Sequence, residues 1–174
     1  MVVADTGPLL ALAKAGALFL LSDLYQQVIT GPAVYTEAVT AGLALNIGDA
    51  VVLDEAYQQG QLLVRTPSPA IVLPQPALLH AGEAESIQLA IELQADWLLM
   101  DDLAARQIAQ QNFAATGTST GIKGTLGVIV TATQAKIISP GPAIDLVKTL
   151  KDRPDVWLAP ALCEAVINTL AKLG

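Results

Sequence analysis

Four acidic side chains, Asp5, Glu37, Glu83 and Asp101, stand where a charge sits oddly among its neighbours. Asp5 ends the apolar run "MVVA" and precedes "TGPLLALAKAG", and Asp101 ends "DWLLM" in the same way. Glu37 is in line with Ala33, Val34 and Ala41 on one helical pattern, and Glu83 heads the stripe continued by Ile87, Ala90 and Ile91 on another. Carboxylates gathered in one place can exchange protons or hold a divalent cation, and such a cluster, which repels phosphate when empty, attracts it once a cation is bound.

Each acid also has a plain structural explanation. An aspartate before a helix caps its N-terminus, a first-turn glutamate complements the helix dipole, and a glutamate beside the core can reach solvent. Glu85 sits roughly 200° around the helix from Glu83, so only one of the two can enter a given site through the same face, and Glu83 is the one on the apolar side. Taken together, the four share a placement that capping alone does not require: each lies at a strand end or on the first turns after one.

The elements that must position them follow from the apolar pattern. "VVAD" reads as a short buried strand, and "PLLALAKAGALFLLSDLY" as a helix interrupted near Gly16. "QVITGP" is a second strand, and "PAVYTEAVTAG" a helix with Pro32 near its start and Gly42 at its end. "IGDAVVLDEAYQQG" reads as a helix stopping at Gly60, and "LLVRTP" as a strand or extended edge. "GEAESIQLAIELQA" is an amphipathic helix, "DWLLMD" a buried strand and "DLAARQIAQQN" a helix opening on an aspartate. "NFAAT" reads as a further strand, "TGTSTGIKG" as a loop and "TLGVIVTATQAK" as a helix, and two more helices are expected around "AIDLVKTL" and "PALCEAVINTLAK". Strands alternating with helices, with apolar runs covered on both faces, predict an α/β fold: a three-layer α/β/α sandwich around a mostly parallel sheet. In such sheets ligands collect beyond the carboxyl ends of the strands, where Asp5 and Asp101 stand.

The 174 residues suit one domain over 1–174. Hydrophobic residues make up 53% and charged ones 14%, yet no run reaches the roughly 18 uncharged apolar residues of a membrane span. The start lacks the basic and apolar regions of a secretory signal, and Cys163 alone forms no internal disulfide, so a cytoplasmic protein without a membrane partner is expected. Nine Lys and Arg against sixteen Asp and Glu, a net charge of -7, exclude nucleic-acid binding through a broad basic surface. Clustered acids that hold cations remain compatible with a nuclease.

The ordered set "VVADTGPLLALAKAG", "VITGPAVYTEAV", "AGEAESIQLAIE", "DWLLMDDLAARQIA" and "GTLGVIVTA" resembles the successive motifs of the PIN-domain nucleases, in the bacterial branch close to the VapC toxins. The resemblance covers about residues 1–138; "GEAES…LLMDDLAAR" is its most specific part. It implies a metal-dependent ribonuclease whose acidic pocket matches Asp5, Glu37, Glu83 and Asp101. It also implies, in many members, an antitoxin partner and a homodimer. The chemistry suits Mg²⁺ or Mn²⁺ on oxygen ligands, with water as nucleophile and no Ser, Cys or His required. Asp5 and Asp101 are then the most direct metal ligands, and Glu83 and Glu37 complete the shell or act through water.

Other residues rank lower. Asp102 is read as the N-cap of the following helix, with Arg106 as its i,i+4 partner or a phosphate contact. Thr6 and Thr125 are candidates to hydrogen-bond a ligated carboxylate, or they serve the local backbone. Gly7 departs from the serine common after "DT" in the family, and "TGTSTGIKGTLG" is longer than the usual "TGTLG" turn, which suggests an adaptable rim carrying Lys123. His80, the one histidine, supports no zinc site. Trp97, Trp157 and the tyrosines are assigned to core packing. The leading expectation is an endoribonuclease acting on RNA as the toxin of a toxin-antitoxin pair. The competing one is a catalytically inactive PIN-like module that binds protein. A phosphatase or receiver domain fits poorly, because "DTG" lacks a second acid two residues on and no acidic pair precedes it.

Overall fold

The computed structural model of the chain describes residues 1–74 and 78–173. Five strands, β1 (Val2–Ala4), β2 (Val28–Thr30), β3 (Leu62–Val64), β4 (Trp97–Leu99) and β5 (Gly121–Lys123), form one sheet in the order β3-β2-β1-β4-β5. Every pairing is parallel, with Val2, Val3 and Ala4 level with Trp97, Leu98 and Leu99. The first strand is therefore central, and the chain runs outward from it on both sides. Between β1 and β4 the direction of winding reverses, and this opens a crevice at their carboxyl ends.

The period of two along each strand divides the core between two faces. Val2, Ala4, Val28, Leu62 and Leu99 face one helical layer: α1 (Thr6–Lys14), α2 (Phe19–Leu24), α5 (Gly48–Gln58), α8 (Thr125–Gln134), α9 (Pro140–Asp152) and α10 (Pro160–Ala171). Val3, Ile29, Leu98 and Met100 face α6 (Ala81–Glu92) and α7 (Leu103–Thr116). This is the expected three-layer α/β/α arrangement, with the sheet parallel throughout. The tail helices α9 and α10 bury Ala143, Val147, Leu150, Cys163 and Leu170 in the larger core.

Four local expectations are corrected. "NFAAT" is the last stretch of α7, not a strand, because Phe113 continues the buried stripe of Ala105, Ile108, Ala109 and Asn112. "TGTSTGIKG" is not simply a loop, because its Gly121–Lys123 pairs with β4 as the edge strand β5. Gly42 does not end its helix. α3 (Pro32–Tyr35) passes through a π-helical turn, Thr36–Ala41, into α4 (Gly42–Ala44), and Ala50 packs against the missing side chain of Gly42. Trp157 is not in the core, being 93% exposed between α9 and α10.

Candidate acidic active site

Asp5 and Asp101 emerge from neighbouring strands at the crevice between β1 and β4. The Asp5 backbone N–H donates to the Leu99 carbonyl at 2.9 Å, which continues the ladder one step beyond the strands and fixes where its side chain leaves the sheet. That side chain is buried and makes no cap hydrogen bond to α1, so helix capping does not account for it. The first turn of α6 packs directly against it: a Cβ placed on Gly82 would lie 3.5 Å from Asp5 Oδ1 and 3.5 Å from Thr6 Oγ1. Glu83 follows Gly82, and its Oε2 accepts the His80 backbone N–H at 2.8 Å, so its structural role at the helix start is real. The Thr6 hydroxyl donates to Glu37 Oε2 at 2.8 Å and ties the π-helical turn to the start of α1.

These contacts set the electrostatics. Burial pushes the Asp5 carboxyl up to about 7, opposed by the Thr6 backbone N–H and reinforced by the negative charges of Glu83, Glu37 and Asp101. Glu83, Glu37 and Asp101 therefore all act on Asp5 through space. None of them is in an ion pair with a lysine or arginine among the described residues.

Asp101 is held differently. Thr125 donates its backbone N–H to Oδ1 at 2.8 Å and its hydroxyl to Oδ2 at 2.5 Å. Burial raises the Asp101 carboxyl, and the two Thr125 bonds and the Arg106 guanidinium pull it back. A side chain at Gly124 would overlap Asp101 Oδ1, so this close grip requires a glycine there. Thr6 and Thr125 are thus both hydroxyl partners of pocket carboxylates. Asp102 is the helix cap, accepting the Ala105 N–H at 2.8 Å, while Arg106 faces Asp101 rather than serving only as a partner of Asp102.

Two features had no usable signal in the sequence. Glu85, set aside in favour of Glu83, caps α3 by accepting the Ala33 N–H at 2.7 Å, and Gly31 leaves room for its carboxylate. This bond locks α3 and the Glu37 turn to α6 and the Glu83 turn. The second feature is the clefts beside Asp101. One of about 800 Å³ is bordered by Asp101, Arg106, Lys123, α8, α10 and Trp157; a smaller one of about 170 Å³ lies between Asp101, Gly7, Lys14 and Trp157. Neither is lined by Asp5, Glu37 or Glu83.

The donor set is all oxygen and carries an unneutralised cluster of charge, which suits a hard divalent ion. Among the described residues no three His, Cys, Asp or Glu side chains stand close enough to form a complete cage. No described helix is long and apolar enough to cross a membrane.

No curated protein and no solved structure matches the chain. A family model described as a PIN domain does match, over residues 1–172, and takes in α9 and α10 beyond the expected limit near residue 138. Since it covers both strands that deliver aspartates and both helical turns that deliver glutamates, the chain belongs to the PIN-domain family.

Proposed function

We propose that this chain is a metal-dependent endoribonuclease, with Asp5, Glu37, Glu83 and Asp101 as its acidic centre. The observation that carries the reading is the state of Asp5: making no cap bond, driven toward neutrality by burial and then by three neighbouring carboxylates, with no lysine or arginine ion-paired to any of the four among the described residues. A binding module that had lost catalysis would be under no pressure to keep this arrangement, because an unpaired buried acid costs stability. PIN domains are generally nucleases that use divalent metals, which supports the same reading.

Asp5 and Asp101 would hold Mg²⁺ or Mn²⁺, with Glu83 and Glu37 acting through bound water. When bound, the ion supplies Lewis acidity, favouring ionisation of a water nucleophile and offsetting charge on the phosphate. The protein's own contribution is orientation and proton handling. Thr125 fixes both oxygens of Asp101, Thr6 fixes one oxygen of Glu37, and Arg106 stands beside Asp101 where a phosphate oxygen can be met. Asp5, held toward its protonated form in the empty site, would give up that proton when a cation binds.

The toxin role, an antitoxin protein, a homodimer and a cytoplasmic location belong to the same proposal and rest on the resemblance to the VapC branch. Exposed Leu43, Leu45, Ile47, Val51 and Val52, together on α4, α5 and the turn between them, offer apolar surface for a protein partner. The test is cleavage of single-stranded RNA in Mn²⁺ by wild type and by Asp5→Asn. Loss of cleavage in the variant supports the enzyme; equal activity overturns Asp5 as part of its centre, and none in either returns the chain to the protein-binding alternative.

A further inference from the structure

We infer that Trp157 is a stacking platform for an unpaired base of the substrate strand, with Arg106 and Lys123 receiving the adjoining phosphates; this rests on the nuclease reading above. A tryptophan left 93% exposed forgoes most of the burial that usually places this residue in a core. Trp97, the other tryptophan, is half-buried and covered on one face by the Lys123 ammonium, 3.6 Å from the ring centroid.

The loop that presents Trp157 is clamped. Asp155 accepts two bonds from Arg153 at 2.9 Å, and Lys14, on α1, bonds both its carboxylate, at 3.1 Å, and its carbonyl, at 3.0 Å. Two residues on, the indole borders both clefts that meet at Asp101. A pre-positioned aromatic loses little entropy when a ligand stacks on it.

Charge identifies the ligand. Among the described residues, four of the nine lysines and arginines are in ion pairs with acidic side chains; Arg106 and Lys123 are not, and both line the larger cleft. Arg106 faces Asp101 and Lys123 covers Trp97, so both are held at the cleft wall without a direct carboxylate bond, beside an aromatic face and an apolar wall, an order that matches the alternation of phosphate and base along a single strand.

The test uses the full chain and a mixed-sequence single-stranded RNA octamer, with cleavage followed in Mn²⁺ and binding followed by anisotropy of the labelled octamer in an Asp5→Asn background. Trp157→Ala is expected to raise KM and Kd roughly ten- to a hundredfold, and Trp157→Phe to restore most of that loss. The same octamer annealed into a duplex, with no base free to stack, should show no dependence on residue 157. Cleavage with a KM within twofold of wild type in Trp157→Ala, or an equal loss on duplex, overturns the platform and leaves the nuclease intact. Wild type that does not cleave, with binding that still depends on Trp157, overturns the nuclease and keeps the platform. Octamer binding indifferent to residue 157 in the Asp5→Asn background overturns the platform and gives the cleft to a protein segment.

Discussion

Asp5 and Asp101 leave adjacent parallel strands one step apart, yet they are held in opposite ways. Asp101 is gripped through both oxygens by Thr125 and faces Arg106, so its charge is partly compensated before any ligand arrives. Asp5 makes no cap bond, is surrounded by like charge, and has a proton affinity near neutrality. One carboxylate is oriented and the other is poised. On the proposed nuclease reading, the pairing separates two requirements, a fixed anchor and a site whose charge is relieved only when a cation or proton comes in.

The largest expected effect comes from breaking the poised side. Asp5→Asn should lower kcat by roughly a thousandfold or more, measured as RNA cleavage in Mn²⁺. The same change should strengthen the metal-free fold at high pH. The Asp5 carboxyl holds its proton up to about 7 in the folded chain against 3.8 unfolded, so folding takes up a proton between those values. Stability is then highest below about pH 4 and falls as pH rises through 7, by up to about 4 kcal/mol. Denaturant titrations in a chelator from pH 4 to 8 should show this slope in wild type and lose most of it in Asp5→Asn. Adding Mn²⁺ at pH 8 should restore wild-type stability more than that of the variant.

On the anchored side, Thr125→Val removes the hydroxyl but leaves the shape. Metal affinity should fall about ten- to a hundredfold, read by calorimetry, because Asp101 loses orientation rather than charge. The smallest effect tests the space between the two. A Cβ at Gly7 would lie 3.6 Å from Asp101 Cβ, an ordinary contact, so Gly7→Ser should fold with stability within about 0.5 kcal/mol of wild type. It would place a hydroxyl near Asp101, and a rise in metal affinity without a change in kcat would show that the missing serine governs binding alone.

Most of the layer order could be read from the sequence because each buried strand is bracketed by a helix with a clear apolar stripe, and the rule that acids converge at strand ends then selected Asp5 and Asp101. What escaped reading had weaker local physics. β5 is three residues of Gly-Ile-Lys at an edge, half-buried, too short to show a period. "NFAAT" offered strand-like residues, but Phe113 answers to the stripe of the helix before it. The π-helical turn leaves no mark in composition, and it is the tertiary bonds of Thr6 and Glu85 that hold Glu37 and its helix in place. Trp157 was assigned inward on its type alone; only the fold shows that the turn between α9 and α10 lifts it out.

The central place of β1 also has a consequence for the timing of synthesis. Asp5 leaves the ribosome about a hundred residues before Asp101 and the Thr125 that grips it, and β1 cannot pair with β4 until those residues have followed. A nascent chain therefore carries half of its acidic cluster without the other half, and the cluster is not assembled until translation has passed α8.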